Sequence, residues 1–162
     1  MNKKAPPLLI SLKPGYADLV FQGLKTAELR RRLSQDIVNR DVFVYVSSPV
    51  KMLRGGFRIG QVWAGSPDQI WDEVSRMARV SRKTFDKYYY GSNVAFAIQI
   101  LDVWEYANPK SLEDLRVQIP YFVVPQSYRY MKASECRCFR NLKRIPRQGS
   151  ATKHSKPHSL AA

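Results

Sequence analysis

The chain has 162 residues, with 27 lysines and arginines against 13 acids, a formal net charge of +14. That length suits one domain around a single hydrophobic core. No stretch reaches the roughly 20 apolar residues that would span a bilayer, and the apolar run after the basic start is cut short by Lys13 and Pro14, so the sequence reads as soluble and cytoplasmic, without a membrane partner.

In chain order, PPLLISL is a short apolar run suited to a buried strand, and KPGYADLVFQG follows it with Tyr16, Leu19 and Val20 at helical spacing. Pro14 fits the first turn of that helix and Gly23 the left-handed residue that ends it. KTAELRRR then alternates as a strand does: Ala27 and Leu29 point one way, Glu28 and Arg30 the other. Arg31 and Arg32 read as surface or phosphate-facing residues. DVFVYVSSP and GGFRIGQVWAG are two further strands, and glycines at 55, 56, 60 and 65 mark bulges or corners of a strongly curved sheet.

Ser66, Pro67 and Gln69 open a helix with a capping box, and Ile70, Trp71, Val74 and Met77 form its buried stripe. Ser81 and Thr84 start another, on which Phe85, Tyr88 and Tyr89 share a face, for which packing at the core and its rim is a simpler reading than base stacking. SNVAFAIQILDVWEY is the clearest strand, with Val94, Phe96, Ile98 and Ile100 predicted as one apolar stripe. SLEDL is a capped helical turn, and IPYFVVPQSYRYM a loop followed by a last strand.

Eight cations and one acid fall between Lys132 and Ala162, so half of the surplus charge sits there. Phe139, Leu142 and Ile145 are three apart, so residues 132–148 form a basic segment able to dock as a short helix, whereas 149–162 have almost no large apolar residues and read as disordered. Cys136 and Cys138 form neither a disulfide framework nor a zinc pattern. His154 and His158 stand in the predicted tail, and nothing in the sequence asks for a metal or cofactor.

Irregular alternation of strands and helices argues against a doubly wound parallel sheet and for an α+β fold, a small mixed or antiparallel barrel decorated by helices. Gly23, Lys25, Glu28 and Arg30 spell G-x-K-x-x-E-x-R, which resembles the signature of the ASCH domains, a branch of the PUA-like superfamily. The likeness spans residues 8 to 131 and takes in VPQSYRY, so residues 1–131 read as the ASCH/PUA-like domain. It implies a PUA-like β-barrel of five to six strands, a cleft between barrel and helix, and RNA or a modified nucleoside as partner.

On a strand Glu28 and Arg30 stand on one face about 7 Å apart, and Gly23 lets the chain turn so that Lys25 joins them. A carboxylate beside two cations can accept from an exocyclic amine and hold phosphate or carbonyl oxygen; an ion pair that closes the barrel is the alternative for the same residues. The expected ligand-binding set is Gly23, Lys25, Glu28 and Arg30, with Tyr128 and Arg129 as stacking or phosphate contacts. Were the chain an enzyme, Lys25 and Glu28 would be its catalytic pair, as an amidohydrolase of N4-acetylcytidine type or a ribonuclease. The relatives that cleave acetylcytidine resemble this chain except for a threonine where Glu28 stands, and Glu73 is the candidate for their later acid. That departure favours a binder over an enzyme, and a regulatory protein-interaction module is the third reading.

Overall fold

The computed structural model describes residues 5–34 and 36–147. Its elements are β1 (Leu8–Leu12), α1 (Pro14–Phe21), β2 (Ala27–Arg30), β3 (Asp41–Val46), β4 (Met52–Gly65), α2 (Pro67–Ala78), α3 (Arg82–Tyr89), β5 (Ala95–Ser111), α4 (Leu112–Gln118), β6 (Tyr128–Tyr130), α5 (Ala133–Arg140) and β7 (Arg144–Pro146). The strands make one curled, mixed sheet of order β2-β5-β4-β3-β1-β6, with β7 added to β5. Among the described residues only the β1–β3 pair is parallel. The predicted α+β barrel is found, with seven strands among the described residues rather than five or six, because the basic segment contributes β7, placing Ile145 opposite Glu105.

Local signals determine most element ends. Pro14 occupies the first turn of α1, and Ser66 and Gln69 complete the capping box of α2. Ser81 and Ser111 cap α3 and α4 by accepting from Thr84 and Asp114 backbone N–H groups. Gly23 takes φ +69°, the left-handed conformation that lets the chain leave α1 and enter β2.

Both faces of the sheet are covered. Leu8, Ile10 and Leu12 of β1 pack with Val42, Val44, Phe57, Ile98 and the α1 residues Val20 and Phe21. On the opposite face Leu9, Phe43 and Trp104 pack with Leu115 of α4 and Phe139 of α5, and a third cluster seats α2 and α3 on Ala27, Leu29, Ala95 and Ala97. Such two-sided burial explains the near-continuous apolar run of β3.

It also corrects the predicted stripe of β5: Val94 is exposed and precedes the strand, Phe96 is half-buried, and the small residues Ala95 and Ala97 are the buried ones, because they let α2 and α3 approach closely. Ile98 and Ile100 are buried as predicted, packed with the α1 residues Val20 and Phe21. The spacing of Phe139, Leu142 and Ile145 is not one helix face either. Helix α5 ends at Arg140, and Ile145 lies exposed in β7. The predicted disordered stretch 149–162, with His154 and His158, lies outside the described residues.

Gly55 and Gly56 do what the sequence expected of strand glycines. A Cβ at Gly56 would lie 2.2 Å from the Val42 carbonyl oxygen, and one at Gly55 the same distance from that of Trp104, while register shifts flank both residues. Gly56→Ala should therefore force the β3–β4 backbones apart and destabilise the fold by about 1–3 kcal/mol, measurable as a lowered urea midpoint at unchanged m-value.

Candidate functional site

The segment between Gly23 and Arg30 sits where α2 ends and where the curled sheet comes round on itself. Thr26 N–H donates to the Met77 carbonyl at 2.9 Å, and the Lys25 ammonium donates to the Ala78 carbonyl at 2.7 Å, so the last turn of α2 is capped by this segment. In return Arg79, left-handed at φ 56°, donates from Nε to the Leu24 carbonyl. The Lys25 ammonium also lies 5.4 Å from the centroid of the Tyr16 ring in α1.

Glu28 joins the two cations as expected. Its Oε2 is 3.3 Å from Lys25 Nζ and its Oε1 is 3.0 Å from Arg30 Nη2. Lys25, Glu28 and Arg30 are 2%, 7% and 6% exposed, so the three form a buried triad with an excess positive charge. Arg30 then reaches beyond its own strand: Nη1 donates to the hydroxyl and carbonyl of Ser127 at 3.1 and 3.3 Å, and Nη2 to the Ser11 carbonyl at 3.5 Å. Strands β2 and β6 are the two ends of the sheet path. Arg30 therefore spans the seam between them with a guanidinium in place of a backbone ladder. Its Nε is buried and has no partner among the described residues.

Chemically, both Glu28 oxygens already face cations, and the Lys25 amine already serves a helix carbonyl. The set is preorganised and positively biased, and an acid–base role for Lys25 or Glu28 would need the seam to open. Gly23 bears the C-terminal segment: an added Cβ would fall 1.5 Å from Arg147 Nη1. Arg147 itself is anchored by its N–H to the Val103 carbonyl.

The remaining predicted residues lie on the far side of the seam. The Tyr128 hydroxyl accepts from Ser34 N–H at 3.2 Å, tying β6 to the loop after β2. Arg129 grips Glu135 of α5 with two hydrogen bonds of 2.7 and 2.6 Å and crosses the Phe122 ring. Burial pushes the Glu135 carboxyl up, but these bonds and the Lys132 N–H outweigh it and hold its pKa below the ordinary value. Glu73 is exposed on α2 and lines a shallow depression of about 410 Å³ with Trp63, Gln69 and Asp72, apart from the triad's bonds. Sequence reasoning missed Ser11, Ser127, Ala78 and Arg147. A serine inside the apolar run of β1 was a hint to Ser11, and the VPQSYRY segment of the family likeness contains Ser127.

A model of the ASCH domain matches residues 10–116, and G-x-K-x-x-E-x-R falls inside that range. The chain belongs to the ASCH domain family. An ASCH domain-containing ribonuclease of Zymomonas mobilis is 28% identical to it over 127 residues, 78% of this chain and 85% of that one. The large ribosomal subunit protein uL22 of Ureaplasma parvum is 29% identical over 125 residues, 77% of this chain, and the match spans 39% of that longer protein. The crystal structure of ASCH from Zymomonas mobilis superposes with a TM-score of 0.78 at 24% identity, covering 85% of this ASCH chain and 96% of the other. The N-terminal domain of McrB from Staphylothermus marinus gives 0.58 at 13% identity, covering 86% and 97%. Both structural likenesses speak to the fold.

Glu28→Gln should strand two buried cations and lower the unfolding free energy by about 3–5 kcal/mol. Lys25→Met should cost less, about 1–3 kcal/mol, since it leaves a neutral Glu28–Arg30 pair and one carbonyl without its donor; denaturant titration orders the two. Because the folded-state pKa of Glu135 is depressed, its stabilisation is complete above the ordinary carboxylate value and lost as pH falls through the lowered one. The stability gap between the unaltered chain and Arg129→Ala should therefore narrow on acidification, read as thermal midpoints across a pH series.

Proposed function

We propose that this ASCH protein binds RNA, using the seam beside the Lys25–Glu28–Arg30 triad and the basic surface that runs from α5 to Arg147. The single observation that carries the reading is the similarity to the Zymomonas protein named as a ribonuclease, which extends over most of both chains. The distribution of charge supports it. Lys132, Arg137, Arg140, Lys143, Arg144 and Arg147 are all exposed along α5, β7 and their connection, with Glu135 the sole acid in the stretch, and that acid is buried under Arg129. A run of exposed cations attracts a phosphate backbone through counterion release and gives no sequence preference by itself. Base preference would fall to the seam, with Gly23, Lys25, Glu28 and Arg30 on its β2 side and Tyr128 on its β6 side. Arg129 serves by holding α5, and so the basic surface, against the sheet.

Cleavage of RNA is the second reading, favoured by the same relative's name. In the structure the Lys25 amine is buried and already bonded, which weighs against its acting on a modified cytidine as the nucleophile. Incubation of end-labelled single-stranded RNA with the protein separates the readings: a retarded but intact strand marks a binder, shortened products a ribonuclease, and neither outcome at low salt overturns both.

Binding should weaken steeply with salt. Neutralising Arg137, Arg140 and Lys143 together should reduce the slope of log K against log salt by about 0.7 for each phosphate no longer neutralised, without moving the melting temperature, since all three are exposed. A slope unchanged by the triple substitution would remove α5 and β7 from the interface.

A further inference from the structure

We propose that the C-terminal end of α3, where Tyr88 and Tyr90 stand beside Arg31, is a stacking platform for the bases of a single-stranded RNA. The proposal rests on the RNA reading above and adds the form of RNA and the place it is held. Three consecutive tyrosines meet three different fates here. Tyr89 is buried, and its hydroxyl bonds the Phe96 and Arg30 carbonyls at 2.9 and 3.3 Å, so it is a structural pin between α3 and β2. Tyr88 is 37% exposed, fixed at its far end by a hydroxyl bond to the Leu29 carbonyl and at its edge by the Tyr89 ring, 4.8 Å away at 76°. Tyr90 is 84% exposed and stands at the turn completed by Gly91. A protein gains nothing in stability by leaving so large a ring in water.

The cations complete the chemistry. Arg31 donates Nη1 to the Tyr88 carbonyl and Nη2 to the Tyr90 carbonyl, both at 3.2 Å, which holds one guanidinium against the end of α3 between the two rings' backbones. Arg32 and the α3 residues Lys83 and Lys87 are exposed, and none of them pairs with an acid among the described residues. The nearby Asp86 is already engaged by Arg82, as is Asp68. Exposed rings interleaved with uncompensated cations suit unpaired bases on the rings and phosphates on the cations. A duplex would offer the rings no base face, and an apolar protein partner would leave the cations without counter-charges. Tyr88 and Tyr89 bond to Leu29 and Arg30 themselves, so the platform is fixed to the strand that carries the triad and continues its site.

Fluorescence anisotropy with a short labelled oligouridylate and a labelled blunt-ended RNA duplex tests this. Tyr90→Ala should weaken single-strand binding by about 5- to 150-fold, leave its salt slope and the duplex affinity unchanged, and leave the melting temperature in place. Tyr90→Trp should restore the affinity, because a stacking ring and not a hydroxyl is required. Arg32→Ala should lower the salt slope by about 0.7. Single-strand binding by the unaltered protein that Tyr90→Ala does not change overturns this proposal and leaves the RNA reading standing. Absence of any RNA binding at low salt overturns both.

Discussion

The structure depends on a carboxylate placed between two cations inside a curled sheet. A sheet that curls without closing leaves two strands unpaired at its ends, and buried polar groups at such a seam must find partners or cost stability. Here Arg30 supplies the partners for Ser127 and Ser11, and Glu28 makes the burial of Arg30 tolerable. Lys25, held by the same carboxylate, fastens the end of α2. One acid thus fixes the positions of a helix, an edge strand and the segment leading into β6. Breaking one partner of such a buried pair is far more damaging than replacing both by apolar groups, which ties the three charged residues of the motif into one unit.

The surplus positive charge of that unit gives the seam its chemical character. Two cations share one anion in a place from which water is mostly excluded, and the Arg30 Nε has no acceptor among the described residues. An electron-rich group arriving at the seam meets a field that the protein has already organised and does not have to rearrange. The exposed cations of α5 and β7 act over a longer range and are screened by salt, so under the proposed RNA binding steering and recognition would fall to different parts of the fold. Arg147 joins the two by lying across Gly23.

Much of this was legible in the sequence wherever the determinant was local. The left-handed turn at Gly23, the alternation of β2 and the capping serines 66, 81 and 111 each express a constraint satisfied within a few residues, and the glycines of β4 announced a close approach without naming the Val42 and Trp104 backbones that make it. The shared face of Glu28 and Arg30 follows from strand geometry alone. What could not be read were partners far along the chain: the Ala78 carbonyl for Lys25, Ser127 for Arg30, Arg147 for Gly23. Backbone carbonyls carry no residue-type signal, and a serine in a loop looks the same whether or not a guanidinium reaches it. The stripe of β5 was misjudged for a related reason. Once both faces of a strand are covered, side-chain size no longer tells which side is buried, and two alanines proved to be the surface on which α2 and α3 rest.

The pairing of β1 has a temporal consequence. Leu8 lies opposite Val42 on one edge and opposite Tyr130 on the other, so β1 gains its second neighbour only after nearly the whole domain has been made. Pairings this distant in sequence close slowly, because the intervening chain must be ordered before they form. During translation the open edge of β1 is a place where a misplaced strand can add, and the arrival of β6 is the event that ends that exposure.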